Sequence, residues 1–169
     1  WLANDADCFT LSEAVDGAGE AGRLVFGIIL GTGCGGGLVV NQQLIVGPNA
    51  ITGEWGHNPL PGYEPAQDGP TQPCYCGRHN CIERFISGTG FAGRFVERHH
   101  RSLSPRGIIM AAGQGDPQAQ AHYDHFIQAL ARSVASLINV LDPDVIVLGG
   151  GLSNIASLYR DLPAAVIPY

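Results

Sequence analysis

Apolar and polar positions along this chain follow two different periods, and the change from one to the other marks out the elements. Leu24-Val25-Phe26-Gly27-Ile28-Ile29-Leu30 is a nearly continuous apolar run, which predicts a buried strand. Leu38-Val39-Val40, a short Asn41-Gln42-Gln43 turn and Leu44-Ile45-Val46 predict a β-hairpin after it. Ile127, Leu130, Ala131, Val134, Leu137, Ile138 and Leu141 recur at three- and four-residue spacing, the core stripe of a helix. That helix opens at Asp116-Pro117 and ends at Asp142-Pro143, since the residue before proline is driven out of the α region. Val145-Ile146-Val147-Leu148 is a second short buried strand, followed by Gly149-Gly150-Gly151 and a helix from Ser153. Shorter helices are expected over 8–14, 82–86, 91–98 and 104–112, with a break at Ser87-Gly88-Thr89-Gly90 and with Arg94, Glu97, Arg98 and Arg101 on a solvated face. Together these elements predict an α/β protein.

Between the hairpin and the helices lies a stretch with no hydrophobic period, residues 53–88. It holds Glu54-Trp55-Gly56-His57, then Cys74, Cys76 and Cys81, then Glu83. Three thiolates and one imidazole make a complete tetrahedral set for a structural zinc, and such a cross-link would give this loop one shape. His57 is the preferred fourth ligand and His79 the rival. A Cys74–Cys81 disulfide or plain buried thiols are the other readings. The five cysteines do not make the even framework of a small disulfide-bonded domain.

Two glycine-rich segments carry further chemistry. Gly31-Thr32-Gly33-Cys34-Gly35-Gly36-Gly37 contains the letters of a dinucleotide fingerprint, but that fingerprint requires a helix after the glycines, and a hairpin follows here. A glycine turn between strands still offers backbone N–H groups to phosphate oxygens, so Gly31, Thr32 and Gly33 are candidate phosphate contacts. Gly149, Gly150 and Gly151, between a strand and a helix, are the second candidate turn. Near the start, Asn4-Asp5 precedes a short helix. Asp5 reads either as an N-cap or as a carboxylate kept ionised by the helix dipole, able to take a proton from a substrate hydroxyl.

Composition narrows the classes. One core fits 169 residues, and 24 Gly with 11 Pro suit a loop-rich α/β chain. A net charge of −6 with only nine Lys and Arg leaves no footprint for nucleic acid or an anionic membrane. No apolar run approaches the ~20 residues of a membrane span, so a reducing cytoplasm is expected, where thiolate–metal chemistry is favoured over disulfides.

Taken in order, Asn4-Asp5-Ala6-Asp7-Cys8, Leu30 to Gly37, Gly53-Glu54-Trp55-Gly56-His57, Cys74-Tyr75-Cys76-Gly77 with Cys81-Ile82-Glu83, and Asp142 to Gly151 resemble the ROK family of sugar kinases and sugar-responsive repressors. The likeness is nearest to its fructokinase-like (mannokinase-type) branch, with the N-acetylglucosamine kinases next. The resemblance implies an actin-like (ribonuclease H-like) ATPase fold, with residues 1–22 ending the first lobe and 23–169 forming most of the second. It implies ATP-dependent phosphorylation of a hexose, fructose or a related sugar, with Asp5 as catalytic base. Asn4, Glu54, His57 and Glu83 would hold sugar hydroxyls, and His57, Cys74, Cys76 and Cys81 would hold structural zinc. Gly31 to Gly33 and Gly149 to Gly151 would hold ATP, with Mg²⁺ as companion, and a homodimer is the common assembly. The alternatives are an N-acetylglucosamine or glucose kinase, or the sugar-sensing part of a ROK transcriptional repressor. Two departures stand out. Asn80 replaces the family's usual glycine, which Asn suits because it tolerates positive φ. The family's N-terminal Asp-x-Gly-Gly-Thr phosphate loop falls upstream of Trp1, so these 169 residues alone are expected to bind zinc without phosphorylating sugar.

Overall fold

A computed structural model describes residues 3–169; Trp1 and Leu2, at the head of the 1–22 segment, lie outside the described residues. The apolar run becomes β1 (Leu24–Leu30), followed by β2 (Cys34–Val40), β3 (Gln43–Leu44) and, much later, β4 (Val145–Gly149). They form one sheet in the order β3-β2-β1-β4. β2 is antiparallel to β1, with Leu30 opposite Cys34, and β4 is parallel to β1, with Val25 opposite Val145. The parallel pair requires the long crossover that the helices provide.

Alternation along β1 divides the apolar residues between two layers. Phe26, Ile28 and Leu30 enter the main core beneath α4 (Gly88–His99), α6 (Pro117–Leu141) and α7 (Ala156–Val166). Val25 enters a smaller core with Ala14, Val39 and Val147, covered by α1 (Asp5–Asp16). A helix can lie this close only where the strands lack side chains. A Cβ at Gly27 or Gly37 would strike buried Thr10 of α1, and one at Gly36 would strike Phe26 and Trp55 on the other face. The surplus of glycines is thus explained by packing on both faces of β2. Only Gly31-Thr32-Gly33 forms the turn.

Several expectations shift. The hairpin turn is two residues, Asn41 (φ 52°) and Gln42 (φ 61°), as the right-handed twist of paired strands favours. β3 then ends at Leu44, leaving Ile45 and Val46 exposed rather than in a strand. α1 begins earlier than expected. Its N-cap is Asn4, whose Oδ1 accepts from Ala6 N–H at 2.8 Å and Asp7 N–H at 3.3 Å, so Asp5 is the first helical residue and not the cap. Ser87, read as part of a helix break, caps α4 through Gly90 N–H at 3.0 Å. The residues after Gly150 form a 3₁₀ turn (Gly151–Asn154) before α7.

Arg94 overturns the solvated-face reading of α4. It is buried, with its guanidinium 4.4 Å from the Phe85 ring centroid. Burial, then the neighbouring Arg98, pushes it down to about 10. The cover is the loop around α2 (Pro65–Asp68): Gly69 lies against the Arg94 guanidinium, and Arg98 Nη2 donates to Gln67 O at 3.0 Å. That loop is tied to α6 by a buried ion pair, Arg132 Nη2 to Asp68 Oδ1 at 2.6 Å. Arg132 Nη1 also donates to Gly62 O at 2.8 Å. Replacing Asp68 by Ala strands a buried cation, which costs about 3–5 kcal/mol. Urea unfolding should show that loss, and a value below about 1 kcal/mol would mean that water reaches the guanidinium.

Candidate functional site

The irregular segment 53–88 is held by short-range geometry at each step. Gly53 (φ 89°) opens a 3₁₀ turn, Glu54–His57, that packs on β2, where Trp55 Nε1 donates to Gly35 O at 3.2 Å. Asn80 adopts φ 55°, the positive value that its amide chemistry tolerates. Its Oδ1 accepts from Gln72 N–H at 2.7 Å, and its own N–H donates to Gln72 O at 2.8 Å. Cys74 N–H donates to Arg78 O at 2.8 Å, folding Cys74 to Arg78 into a tight turn. An isolated bridge pairs Pro59 with Cys81.

These turns bring together the four residues that the cysteine spacing singles out. The ligand atoms of His57, Cys74, Cys76 and Cys81 all lie within 4.8 Å of one another. Cys74 Sγ is 3.5 Å from His57 Nδ1, and Cys76 Sγ is 3.6 Å from Cys81 Sγ. A tetrahedron built on Zn–S bonds of about 2.3 Å has edges of about 3.7 Å, whereas a disulfide brings sulfurs to about 2.05 Å. The spacing fits a shared cation and excludes a bond between these thiols. Burial pushes Cys81 up to about 12, while the Arg78 backbone N–H draws Cys76 down. As thiolates at this spacing, the three sulfurs would need a positive partner. His79, the rival ligand, is exposed and outside the group.

Of the candidate sugar-side residues, His57 belongs to this corner and Glu83 follows Cys81 by two residues. His57 presents Nδ1 to the sulfurs and Nε2 away from them, where it meets the Tyr75 hydroxyl at 3.0 Å. Glu83, at the start of α3 (Glu83–Ile86), is buried, and its Oε2 accepts from Cys34 N–H at 2.9 Å. A Cβ at Gly33 would come within 2.7 Å of that oxygen. Glu54 is exposed on its turn. Desolvation, then the negative charge of Glu54, raises the Asp7 carboxyl above its ordinary value. Asn4 and Asp5 are both exposed at that helix start. Asn4 spends its side-chain oxygen on the cap.

On the far side of the glycine turn is an open cavity of about 1210 Å³, ample against the 300–1,000 Å³ usual for ligand sites. It lies beyond the carboxyl ends of parallel β1 and β4, where open α/β sheets bind ligands. Its walls include Gly31, Thr32 and Gly151. Three helix starts also reach it: Gly88 and Thr89 of α4, Pro105 and Arg106 of α5 (Pro105–Gly113), and Ala156 of α7. Helix N-termini attract anions. Gly88 N–H donates to Gly31 O at 2.7 Å, and Thr89 Oγ1 to Thr32 O at 2.6 Å, so the glycine turn is docked on α4. Gly149 and Gly150 are placed differently. A Cβ on Gly149 would meet the Phe9 ring at 2.6 Å, and one on Gly150 (φ 83°) the Leu30 carbonyl, so packing accounts for both. Sequence reasoning missed Gly88, Thr89 and Arg106. The Ser-Gly-Thr-Gly signal before Phe91 was visible, and its value as a helix start facing a cleft was not.

An α/β fold with helices on both faces of one sheet, a cleft beyond its parallel strands and a thiol-rich loop beside it has the architecture of the actin-like ATPase class seen in sugar kinases. The ROK family model matches residues 1–169, and this chain belongs to the ROK family. It is 45% identical over 164 residues to an N-acetyl-D-glucosamine kinase from Shigella flexneri, covering 95% of this chain and 54% of that protein. The ROK hexokinase from Thermus thermophilus superposes with a TM-score of 0.87 at 28% identity, over 100% of this chain and 55% of the hexokinase. A ROK glucokinase from Streptomyces griseus, solved with glucose and AMPPNP, superposes with a TM-score of 0.79 at 27% identity, over 99% and 56%. The chain therefore spans about half the length of the relatives it matches. Among the described residues, no helix is long and apolar enough to cross a membrane.

Proposed function

We propose that this chain is the sugar- and nucleotide-binding part of an ATP-dependent hexose kinase, and that its substrate is N-acetylglucosamine rather than fructose. The observation that carries the reading is the Glu83–Cys34 hydrogen bond of 2.9 Å. It fastens a carboxylate of the thiol-rich corner to the turn that walls the nucleotide-sized cavity, so that a polyhydroxyl ligand and a phosphate chain would meet across one turn. The 45% identity to an N-acetyl-D-glucosamine kinase supports the acetylated sugar over the fructokinase-like reading.

In this reading Glu54, Glu83, Asn4 and the outward nitrogen of His57 orient the sugar, since carboxylates form short, strong bonds to hydroxyls. Asp5 accepts the proton of the attacking hydroxyl. Backbone N–H groups of Thr32 and Gly33, in the turn that the Gly31 N–H closes onto Gly33 O at 3.0 Å, and the starts of α4 and α7 hold phosphate oxygens, and Mg²⁺ supplies charge neutralisation when bound with ATP. Gly149 and Gly150 support the wall beneath Gly151. His57, Cys74, Cys76 and Cys81 hold a zinc ion whose ligands are all protein atoms, which leaves no open position and makes it structural. Residues 1–22 belong with the first lobe of the whole enzyme, and the working unit is a cytoplasmic homodimer.

The test is ADP release from the complete protein with N-acetylglucosamine, glucose, mannose and fructose. N-acetylglucosamine should give the highest kcat/KM. A preference for fructose would restore the fructokinase reading, and no turnover with any sugar would favour the repressor sensor.

A further inference from the structure

Tyr75 stands between two of the clustered cysteines, and nothing in the proposed chemistry uses it. Its side chain is 80% exposed, yet its position is specific. The ring meets His57 edge-on, at 89° and 5.1 Å between centroids, and the hydroxyl lies 3.0 Å from Nε2. On the opposite side of the same imidazole, Nδ1 faces Cys74 Sγ at 3.5 Å. If Nδ1 gives its lone pair to a metal, a neutral ring carries its proton on Nε2. The phenol oxygen then accepts that proton, which is the role a sugar hydroxyl oxygen would take there.

We propose that Tyr75 is a displaceable plug: its hydroxyl holds the place of a substrate hydroxyl on His57, and a sugar must replace it to bind. The proposal rests on the sugar-binding reading of His57. An exposed ring on one neutral hydrogen bond is easily moved, because such a bond contributes little net free energy against water. The ligand class follows from the chemistry. The incomer must offer a hydroxyl oxygen to Nε2–H, and a sugar lacking that hydroxyl gains nothing by opening the site. Tyr75 thereby sets a threshold that favours a fully hydroxylated face.

The experiment compares the complete, zinc-loaded wild type with Tyr75→Phe, using N-acetylglucosamine as the probe in calorimetry with AMPPNP and in steady-state kinetics. Removing the competing hydroxyl should tighten sugar binding by about fivefold, in Kd and KM alike, with zinc content unchanged. In protein carrying 3-fluorotyrosine, the resonance assigned to position 75 by its loss in Tyr75→Phe should shift when N-acetylglucosamine is added without nucleotide. Weaker binding by Tyr75→Phe would overturn the plug and make the phenol a sugar contact. Equal affinity with an unmoved resonance would overturn it as well. Both of those results leave the kinase reading intact, whereas absence of sugar binding to either protein defeats that reading itself.

Discussion

Replacing Asp5 by Asn should lower kcat with N-acetylglucosamine by about 10³-fold while changing the sugar KM by no more than a few-fold. Loss of a positioned general base costs about 10² to 10⁴ in rate, and Asn keeps the size and one acceptor oxygen of the side chain. The substitution is clean because the helix start does not depend on Asp5. Ala6 N–H is already bonded to Asn4 Oδ1 at 2.8 Å, beside its 2.9 Å contact with Asp5 Oδ1. The first turn therefore stays capped, and thermal unfolding should move by no more than a degree or two. Steady-state ADP release and a melting curve on the same preparation check both halves. A fall in kcat below tenfold would make Asp5 a binding carboxylate only, and a large rise in KM would say the same from the other side.

Asp5 also shows how far the chain could be read without coordinates. Elements whose signal is local were legible. β1 is one apolar run, β4 another, and α6 carries its stripe between Asp116-Pro117 and Asp142-Pro143. Asp116 caps α6 through Gln118 and Ala119 N–H, and Asp142 ends it at φ 45°. The cluster of His57 with Cys74, Cys76 and Cys81 was legible because ligand chemistry restricts both residue type and spacing, and the tight turns of the loop then bring the atoms together. What failed depends on covering by something without a period. Arg94 looks solvated from the amphipathic pattern of α4, and only the loop around Gly69 buries it. Gly35, Gly36 and Gly37 continue the glycine run of the candidate phosphate turn, yet what lies against them is Ala6, then Phe26 and Trp55, then Thr10. Gly149 was read the same way and packs on Phe9. Glycine is required by close approach of any neighbour, and sequence does not say whether that neighbour is a ligand or a helix. Tyr75 escaped notice because an aromatic in a turn carries no signal of where its hydroxyl points.

Removing the proposed zinc should open the 53–88 segment while the sheet and long helix survive. The four candidate ligands join the Glu54–His57 turn to the Cys74–Cys81 turns, and none lies in β1, β4 or α6. A zinc held at roughly 1,000-fold above its dissociation constant stabilises the bound fold by about 4 kcal/mol. For a protein of this size or larger, that corresponds to a melting temperature lower by about 10 °C after chelation. Cys81→Ser should reproduce the loss, because Cys81 is buried at the centre of the group with its sulfur also 3.5 Å from the His57 carbonyl. Cys8→Ser is the control, since Cys8 is exposed on α1 and outside the group. Metal analysis should give one zinc per chain in wild type and in Cys8→Ser, and far less in Cys81→Ser. The sugar KM should rise at least tenfold without metal, because His57 and Glu83 lose their common frame, while Arg132–Asp68 still fastens the α2 loop to α6. Protease cleavage confined to 53–88 would mark the opened region. A chelated protein that keeps its melting temperature and its sugar affinity would show that the hydrogen bonds of Asn80, Gln72 and Glu83 hold the corner unaided, and zinc would then have no part in shaping the site.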